Sequence, residues 1–272
     1  MKILPPLILF LLLSACNDTG TNEENTSHTT GELSPPLINY ALIKTYPHDT
    51  TAYTEGLLVH DGQLYESTGS PDDLPQTRSL FGTLDTTTGK IDKKVELDRD
   101  KYFGEGICFL KGKVYQLTYQ TKVGFIYDAK TFQQLGEFNF PGKEGWGMTT
   151  DSSFLIMSDG TNVLYYIDPL DLKLSKMIRV SDEKGPVMKI NELEYINNFI
   201  YGNIYGTNSI VKIDPSSGKV IGLLDLTSLV NEAKSRYSAS LEMNGIAYDA
   251  VSGRTYITGK MWPTLYQIQF GH

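Results

Sequence analysis

The chain has 272 residues, 40% of them hydrophobic and 21% charged, an ordinary globular balance that leaves room for one large β domain or two smaller ones. A net charge of −8 and a pI near 5.1 exclude the basic patch on which a nucleic-acid binder depends, so no nucleic-acid partner is expected. The four histidines (His28, His48, His60, His272) fall at no ligand spacing, and no metal site is read from them.

Lys2 is followed by the apolar run Ile3 to Leu13, too short for an ordinary spanning helix, and then by small residues. Residues 1–16 therefore read as a lipoprotein signal peptide. Leu13-Ser14-Ala15-Cys16 has the form of a bacterial lipobox, in which the cysteine is lipidated and becomes the mature N-terminus. A plain secretory signal with an incidental cysteine is the alternative. The expected location is the bacterial cell envelope, periplasmic or surface-facing, with the lipid as the sole membrane contact. Residues 17–36 are polar and end in Pro35-Pro36, which suits a flexible tether. With Cys16 lipidated, Cys108 has no intrachain disulfide partner. Inside an apolar run it reads as a small buried hydrophobe rather than a nucleophile.

From residue 37 to 272 the sequence repeats. An apolar strand ending in Asp and a turn occurs at Leu80–Asp85, Gly124–Asp128, Leu164–Asp168 and Ile210–Asp214, with steps of 43, 40 and 46 residues between the aspartates. The Asp side chain can accept from backbone N–H groups two residues on. A second signature opens each unit: Glu55-Gly56-Leu57, Glu105-Gly106-Ile107, Trp146-Gly147-Met148, Asn191-Glu192-Leu193 and Asn244-Gly245-Ile246. Five short meanders of this kind read as an all-β, five-bladed β-propeller. Leu226 to Ser240 is the one helical stretch. The apolar segment Ile38 to Thr45 is expected to add an outer strand to the last blade and close the ring. Such a ring leaves no open sheet edge, so a monomer is expected.

In a meander blade the entry to the first strand and the turn from second to third strand lie on one face. That face collects Glu55, Glu105, Trp146, Asn191 and Asn244 with Tyr119, Tyr205, Lys260 and Trp262, the make-up of a small polar ligand site. Among these, Tyr102-Phe103-Gly104-Glu105-Gly106 stands out. Two glycines suit an unusual backbone or close approach, and aromatic walls raise the pKa of a loop carboxylate toward the working range.

Tyr53-Thr54-Glu55-Gly56-Leu57, Tyr102–Gly106, Gly145-Trp146-Gly147, Asn191–Ile196, Asn244–Ala247 and Thr258–Pro263, together with Pro47-His48-Asp49, resemble the plant-type glutaminyl cyclase family in sequence and order. The resemblance covers residues 38 to 270. It implies a five-bladed propeller that converts N-terminal glutamine of peptides or proteins to pyroglutamate, releasing ammonia, with no cofactor and no catalytic metal. It also implies that Glu105 is the catalytic carboxylate, that Tyr53, Phe103 and Trp146 line the substrate pocket, and that Asn191 and Lys260 are polar pocket residues. Tyr119 and Tyr205 stand where the papaya-like pattern has tryptophan, which puts pocket width and peptide preference in question.

In the expected mechanism Glu105 takes a proton from the attacking α-amine and returns it to the departing ammonia, while Lys260 or Asn191 stabilises the oxyanion. Glu55 has three readings: a second proton carrier, a structural acceptor, or a binder of the substrate α-ammonium. Trp146 equally fits inter-blade packing, Lys260 a solvated turn and Asn191 a strand cap. The competing functions are a lipid-anchored binding propeller without catalysis and a metal-dependent lyase or lactonase. A structural calcium in the central channel is compatible with any of these.

Overall fold

The computed structural model describes residues 1–3 and 34–272, so Cys16 and nearly all of the expected tether lie outside the described residues. The first blade contains β2 (Thr54–His60), β3 (Gln63–Thr68), β4 (Leu80–Leu84) and β5 (Ile91–Glu96), reached after β1 (Tyr40–Pro47). The second contains β6 (Gly104–Leu110), β7 (Lys113–Thr118), β8 (Val123–Asp128) and β9 (Gln134–Asn139). The third contains β10 (Met148–Thr150), β11 (Leu155–Ser158), β12 (Val163–Ile167) and β13 (Leu174–Arg179), followed by a small hairpin of β14 (Ser181–Asp182) and β15 (Gly185–Pro186). The fourth contains β16 (Ile190–Ile196), β17 (Phe199–Ile204), β18 (Ser209–Ile213) and β19 (Val220–Asp225). After α1 (Thr227–Arg236) come β20 (Met243–Asp249), β21 (Arg254–Gly259) and β22 (Thr264–Phe270).

Each blade is a four-stranded antiparallel sheet, and the innermost strands β2, β6, β10, β16 and β20 touch one another in cyclic order. β1 pairs with β22 from Tyr40↔Phe270 to Pro47↔Thr264, so the last blade is built from both ends of the propeller and the ring closes as the sequence suggested. Leu223 donates its N–H to the Pro36 carbonyl at 3.0 Å.

The predicted turn aspartates behave as expected. Asp85, Asp128, Asp168 and Asp214 each accept from the N–H two residues on, at 2.8 to 3.0 Å. Each turn leads into a fourth strand that the sequence reading did not name. β5 and β13 carry largely polar or exposed side chains and so lack the apolar alternation of a half-buried strand.

The core is divided among the blade interfaces. Phe81 packs with Ile107 and Phe125 between the first two blades, Leu117 with Met157 between the next two, and Tyr166 with Ile190 between the third and fourth. Leu57, Ala247 and Leu265 join the fifth blade to the first. Between the fourth and fifth, α1 inserts Leu229, Val230 and Ala233 against Tyr201 and Trp262. Each large side chain buried in this way stabilises the ring by about 1.5–3 kcal/mol relative to exposure. No blade could retain that contribution alone.

Candidate active site

Four of the five entry signatures are β-bulges. One extra residue is accommodated between Thr54 and Gly56, Gly104 and Ile107, Ile190 and Leu193, and Met243 and Ile246. A bulge turns a side chain out of the regular alternation. Glu55, Glu105 and Asn191 thereby reach a single cavity of about 540 Å³ rather than packing between blades. Tyr53, Phe103, Tyr119, Trp146, Tyr205 and Lys260 complete the sequence-predicted set in the same cavity.

Three expectations need correction. Glu105 lies within β6, not in a loop, and neither Gly104 nor Gly106 takes a left-handed conformation. Gly106 is required because its neighbours are main chain: a Cβ there would sit 2.5 Å from Met148 N and 2.7 Å from the Trp146 carbonyl. The close approach is by the next blade, not by a ligand. Trp262, expected at the mouth, is fully buried beneath it and donates Nε1–H to the Leu241 carbonyl at 3.1 Å. Asn244 also lies behind the cavity wall, donating Nδ2–H to Glu55 Oε2 at 3.0 Å.

Lys260 Nζ donates to Glu55 Oε1 at 2.8 Å, with both side chains almost fully buried. The ammonium also stands 4.4 Å from the Tyr53 ring centre and 5.4 Å from that of Tyr205, an aromatic cage that favours a cation. Phe103 meets Tyr53 edge-on at 6.0 Å and Tyr119 at 5.8 Å, while Trp146 meets Tyr205 at 5.7 Å. Trp146 Nε1 donates to Glu144 at 3.0 Å, which fixes the indole plane. The tyrosines at 119 and 205 therefore preserve an aromatic wall.

Asn191 is buried, its backbone carbonyl accepts from Ser158 Oγ at 2.7 Å, and its side-chain Oδ1 has no partner. Among the described residues the Glu105 carboxylate likewise makes no hydrogen bond; only its main-chain carbonyl is held, by Ser67 Oγ at 2.5 Å. Buried polar groups are ordinarily satisfied, so two free groups facing one cavity mark where a polar ligand belongs.

The sequence reading missed the rim. Arg99 lines the cavity and donates to the carbonyls of Pro71, Leu74, Pro75 and Thr77, holding the 71–77 loop over one side. An arginine bound to main-chain oxygens leaves no charge pattern to read. The Pro71 and Pro75 positions mark the loop but not its partner.

Comparisons with known proteins agree with this geometry. A family model described as glutamine cyclotransferase matches residues 10–270. The chain belongs to the glutamine cyclotransferase family. A glutaminyl-peptide cyclotransferase of Arabidopsis thaliana is 34% identical over 263 residues, covering 96% of this chain and 79% of that protein. The crystal structure of Myxococcus xanthus glutaminyl cyclase is similar with a TM-score of 0.78 at 30% identity, over 87% of this chain and 98% of that one.

The electrostatics of the cyclotransferase site follow from burial. Loss of water, joined by the nearby Glu55 charge, holds Glu105 well above the ordinary carboxylate range, and Lys260 offsets this only in part. Burial also raises Glu55, against the opposing pull of Lys260. Burial would lower Lys260, but the charge of Glu55, that of Glu105 and the hydrogen bond to Glu55 together outweigh it and keep the ammonium protonated. Tyr53 is pushed up to about 12 by burial, so it stays a neutral phenol. Among the described residues no group of three or more His, Cys, Asp or Glu side chains is placed to hold a metal ion.

Proposed function

We propose that this glutamine cyclotransferase acts on peptides or proteins with N-terminal glutamine, with Glu105 as the single proton carrier and no catalytic metal. The observation that carries this reading is the buried, unpartnered Glu105 carboxylate beside a caged ammonium in one cavity.

The α-amine attacks the γ-carboxamide carbon, forming the ring C–N bond. Glu105 accepts the proton released from that nitrogen and transfers it to the departing amide nitrogen, and the C–N bond to the leaving group breaks to release ammonia. Atoms and charge balance, and the carboxylate is restored. The α-amine of a peptide has a pKa of about 7.7 to 8.0, so the rise of Glu105 above the ordinary carboxylate range moves it toward its proton donor. One N–H of Lys260 is committed to Glu55, which leaves others for the developing oxyanion. Asn191 is suited to the carboxamide, and the aromatic wall folds the glutamine side chain toward its own amine. Glu55 serves as the fixed counter-ion of Lys260.

The test is ammonia release from a glutaminyl dipeptide by the full chain, beside Glu105→Gln and with or without chelator. Chelator-resistant release that Glu105→Gln abolishes in a folded protein supports both points. Chelator-sensitive release removes the metal-independent reading, and full activity in Glu105→Gln removes its acid–base role.

We also infer anchorage in the cell envelope through Cys16, supported by the apolar run and the Leu13–Cys16 motif. Mass analysis of the mature N-terminus should show a lipidated Cys16, and Cys16→Ser should move activity to the soluble fraction. A mature chain starting elsewhere would refute it.

A further inference from the structure

The Pro47-His48-Asp49 run takes no part in this chemistry, yet His48 is buried directly behind the site. Its Nε2 lies 3.1 Å from both oxygens of Glu66, and its Nδ1 lies 2.8 Å from the Trp262 carbonyl oxygen. A carbonyl accepts only, and a carboxylate facing a ring N–H accepts as well. With Glu66 ionised, both ring nitrogens carry hydrogen and the ring is an imidazolium; its side chain and that of Glu66 are both 0% exposed.

The two partners of this ring lead to the two halves of the Lys260–Glu55 pair. Glu66 Oε1 accepts from Thr54 Oγ1 at 2.7 Å, and Thr54 is the residue before Glu55. Trp262 belongs to the β21–β22 turn that carries Lys260. That turn is unusual: Met261, buried and not glycine, has φ +59° and donates its N–H to the Ala52 carbonyl at 2.7 Å. Left-handed backbone at such a residue persists only where its surroundings hold it. The His48 main chain holds it too, donating to the Pro263 carbonyl at 3.1 Å.

We propose that the His48–Glu66 ion pair is a positioning device that clasps the Lys260 turn to the Thr54-Glu55 bulge and fixes the buried ammonium over the substrate. Its catalytic consequence rests on the reading of Lys260 as oxyanion donor. The clasp holds only while His48 is charged. The charged groups facing it are Glu66 on β3 and Asp49 on its own segment, the latter paired with Lys90 at 2.8 Å. The Trp262 carbonyl meets the other ring nitrogen, and Gly89 of the β4–β5 turn lies close against the His48 main chain. Burial alone would lower the pKa of His48, but the charge of Glu66 and the two hydrogen bonds outweigh it and raise it. The clasp is therefore complete below the ordinary imidazole value of 6.5 and is lost as pH rises through the higher His48 value.

The decisive experiment is nitrogen NMR of the His48 ring, assigned with His48→Gln, alongside the pH profile of kcat/KM. The imidazolium form is expected at pH 7, and activity should fall on the alkaline side through the His48 midpoint. Glu66→Gln should lower that midpoint and carry the activity limb with it, cutting kcat/KM at pH 8 by about 100-fold, the scale of a misplaced catalytic group. A neutral ring at pH 7 overturns the proposal. So does a folded Glu66→Gln enzyme with an unchanged profile. Should that variant not fold, the wild type still decides, because full activity above the His48 midpoint also overturns it. Lys260→Gln separates the two readings: full activity there would remove the role given to Lys260 and leave the His48 charge state to be judged on its own.

Discussion

A carboxylate that takes a proton from an amine and returns it to ammonia works best with a pKa between the ordinary carboxylate value and that of the amine. Glu105 is raised in that direction by burial and by Glu55, and Lys260 limits the rise. These opposed influences make separable predictions. Glu105→Gln should lower kcat by about 10²- to 10⁴-fold, the usual worth of a positioned acid–base group. Lys260→Met should lower kcat/KM by about 10²- to 10³-fold, as for loss of an oxyanion donor. It should also move the acidic limb of the pH profile to higher pH, because the charge that restrains Glu105 is gone. Glu55→Gln should move the same limb to lower pH, since a neighbouring negative charge has been removed. A profile indifferent to both substitutions would mean that Glu105 is not the group being titrated.

At the scale of the element, the bulged inner strand does two jobs with adjacent residues. At Glu55-Gly56, Glu105-Gly106 and Trp146-Gly147 one residue supplies the side chain for the cavity, and the next lets the neighbouring blade approach. A Cβ at Gly147 would stand 2.2 Å from the Asn191 carbonyl and 2.7 Å from Glu192 Cα, both main chain. Gly147→Ala should therefore destabilise the protein by roughly 1–3 kcal/mol, the range for forced overpacking. Because the displaced residue is Asn191, it should also raise KM. Gly136→Ala on β9 meets no atom within 4 Å and is the matched control, expected to change stability by no more than about 0.5 kcal/mol. Equal denaturation midpoints for the two would refute the argument. The same element shows what the sequence made legible. Acidic residues before glycine pointed to Glu55 and Glu105, and the amide of Asn191-Glu192-Leu193 at the same blade position pointed to Asn191, because the bulge is repeated. The bulge itself, the commitment of Lys260 to Glu55 and the arginine strut at Arg99 depend on contacts between blades or between rim segments, which no local pattern records. The outer strands were missed for a simpler reason: exposed strands such as Leu174–Arg179 have no buried face to impose alternation.

For the whole ring, the central channel is where five blades must be reconciled, and it is lined by buried acids. Glu192, where other blades have glycine, reaches from the fourth blade to accept from Leu57 N–H at 3.2 Å and Ile246 N–H at 2.8 Å, in the first and fifth. Glu194 accepts from Tyr248 N–H at 2.8 Å, again across the fourth and fifth blades. Burial raises Glu192 well above the ordinary value and Glu194 to about 8, their hydrogen bonds only moderating it. These two carboxyls hold protons in the folded ring at a pH where the unfolded chain has released them. In that window the native state binds more protons than the unfolded state, so stability must fall as pH rises. The window opens near 4.5, the ordinary glutamate value, and for Glu194 it closes near 8. His48 acts in the same direction, because a raised imidazole contributes fully below its ordinary 6.5 and is lost above its folded value. The surface turn aspartates are lowered instead, and theirs is a contribution lost only on acidification below the ordinary 3.8. Thermal unfolding should therefore show Tm declining from pH 5 to pH 8.5. Glu194→Gln should flatten the decline below pH 8, since its share is on the order of a few kcal/mol. A Tm that climbs across this range would mean that the channel carboxyls are ionised in the native ring, with cross-blade N–H donors strong enough to keep them so.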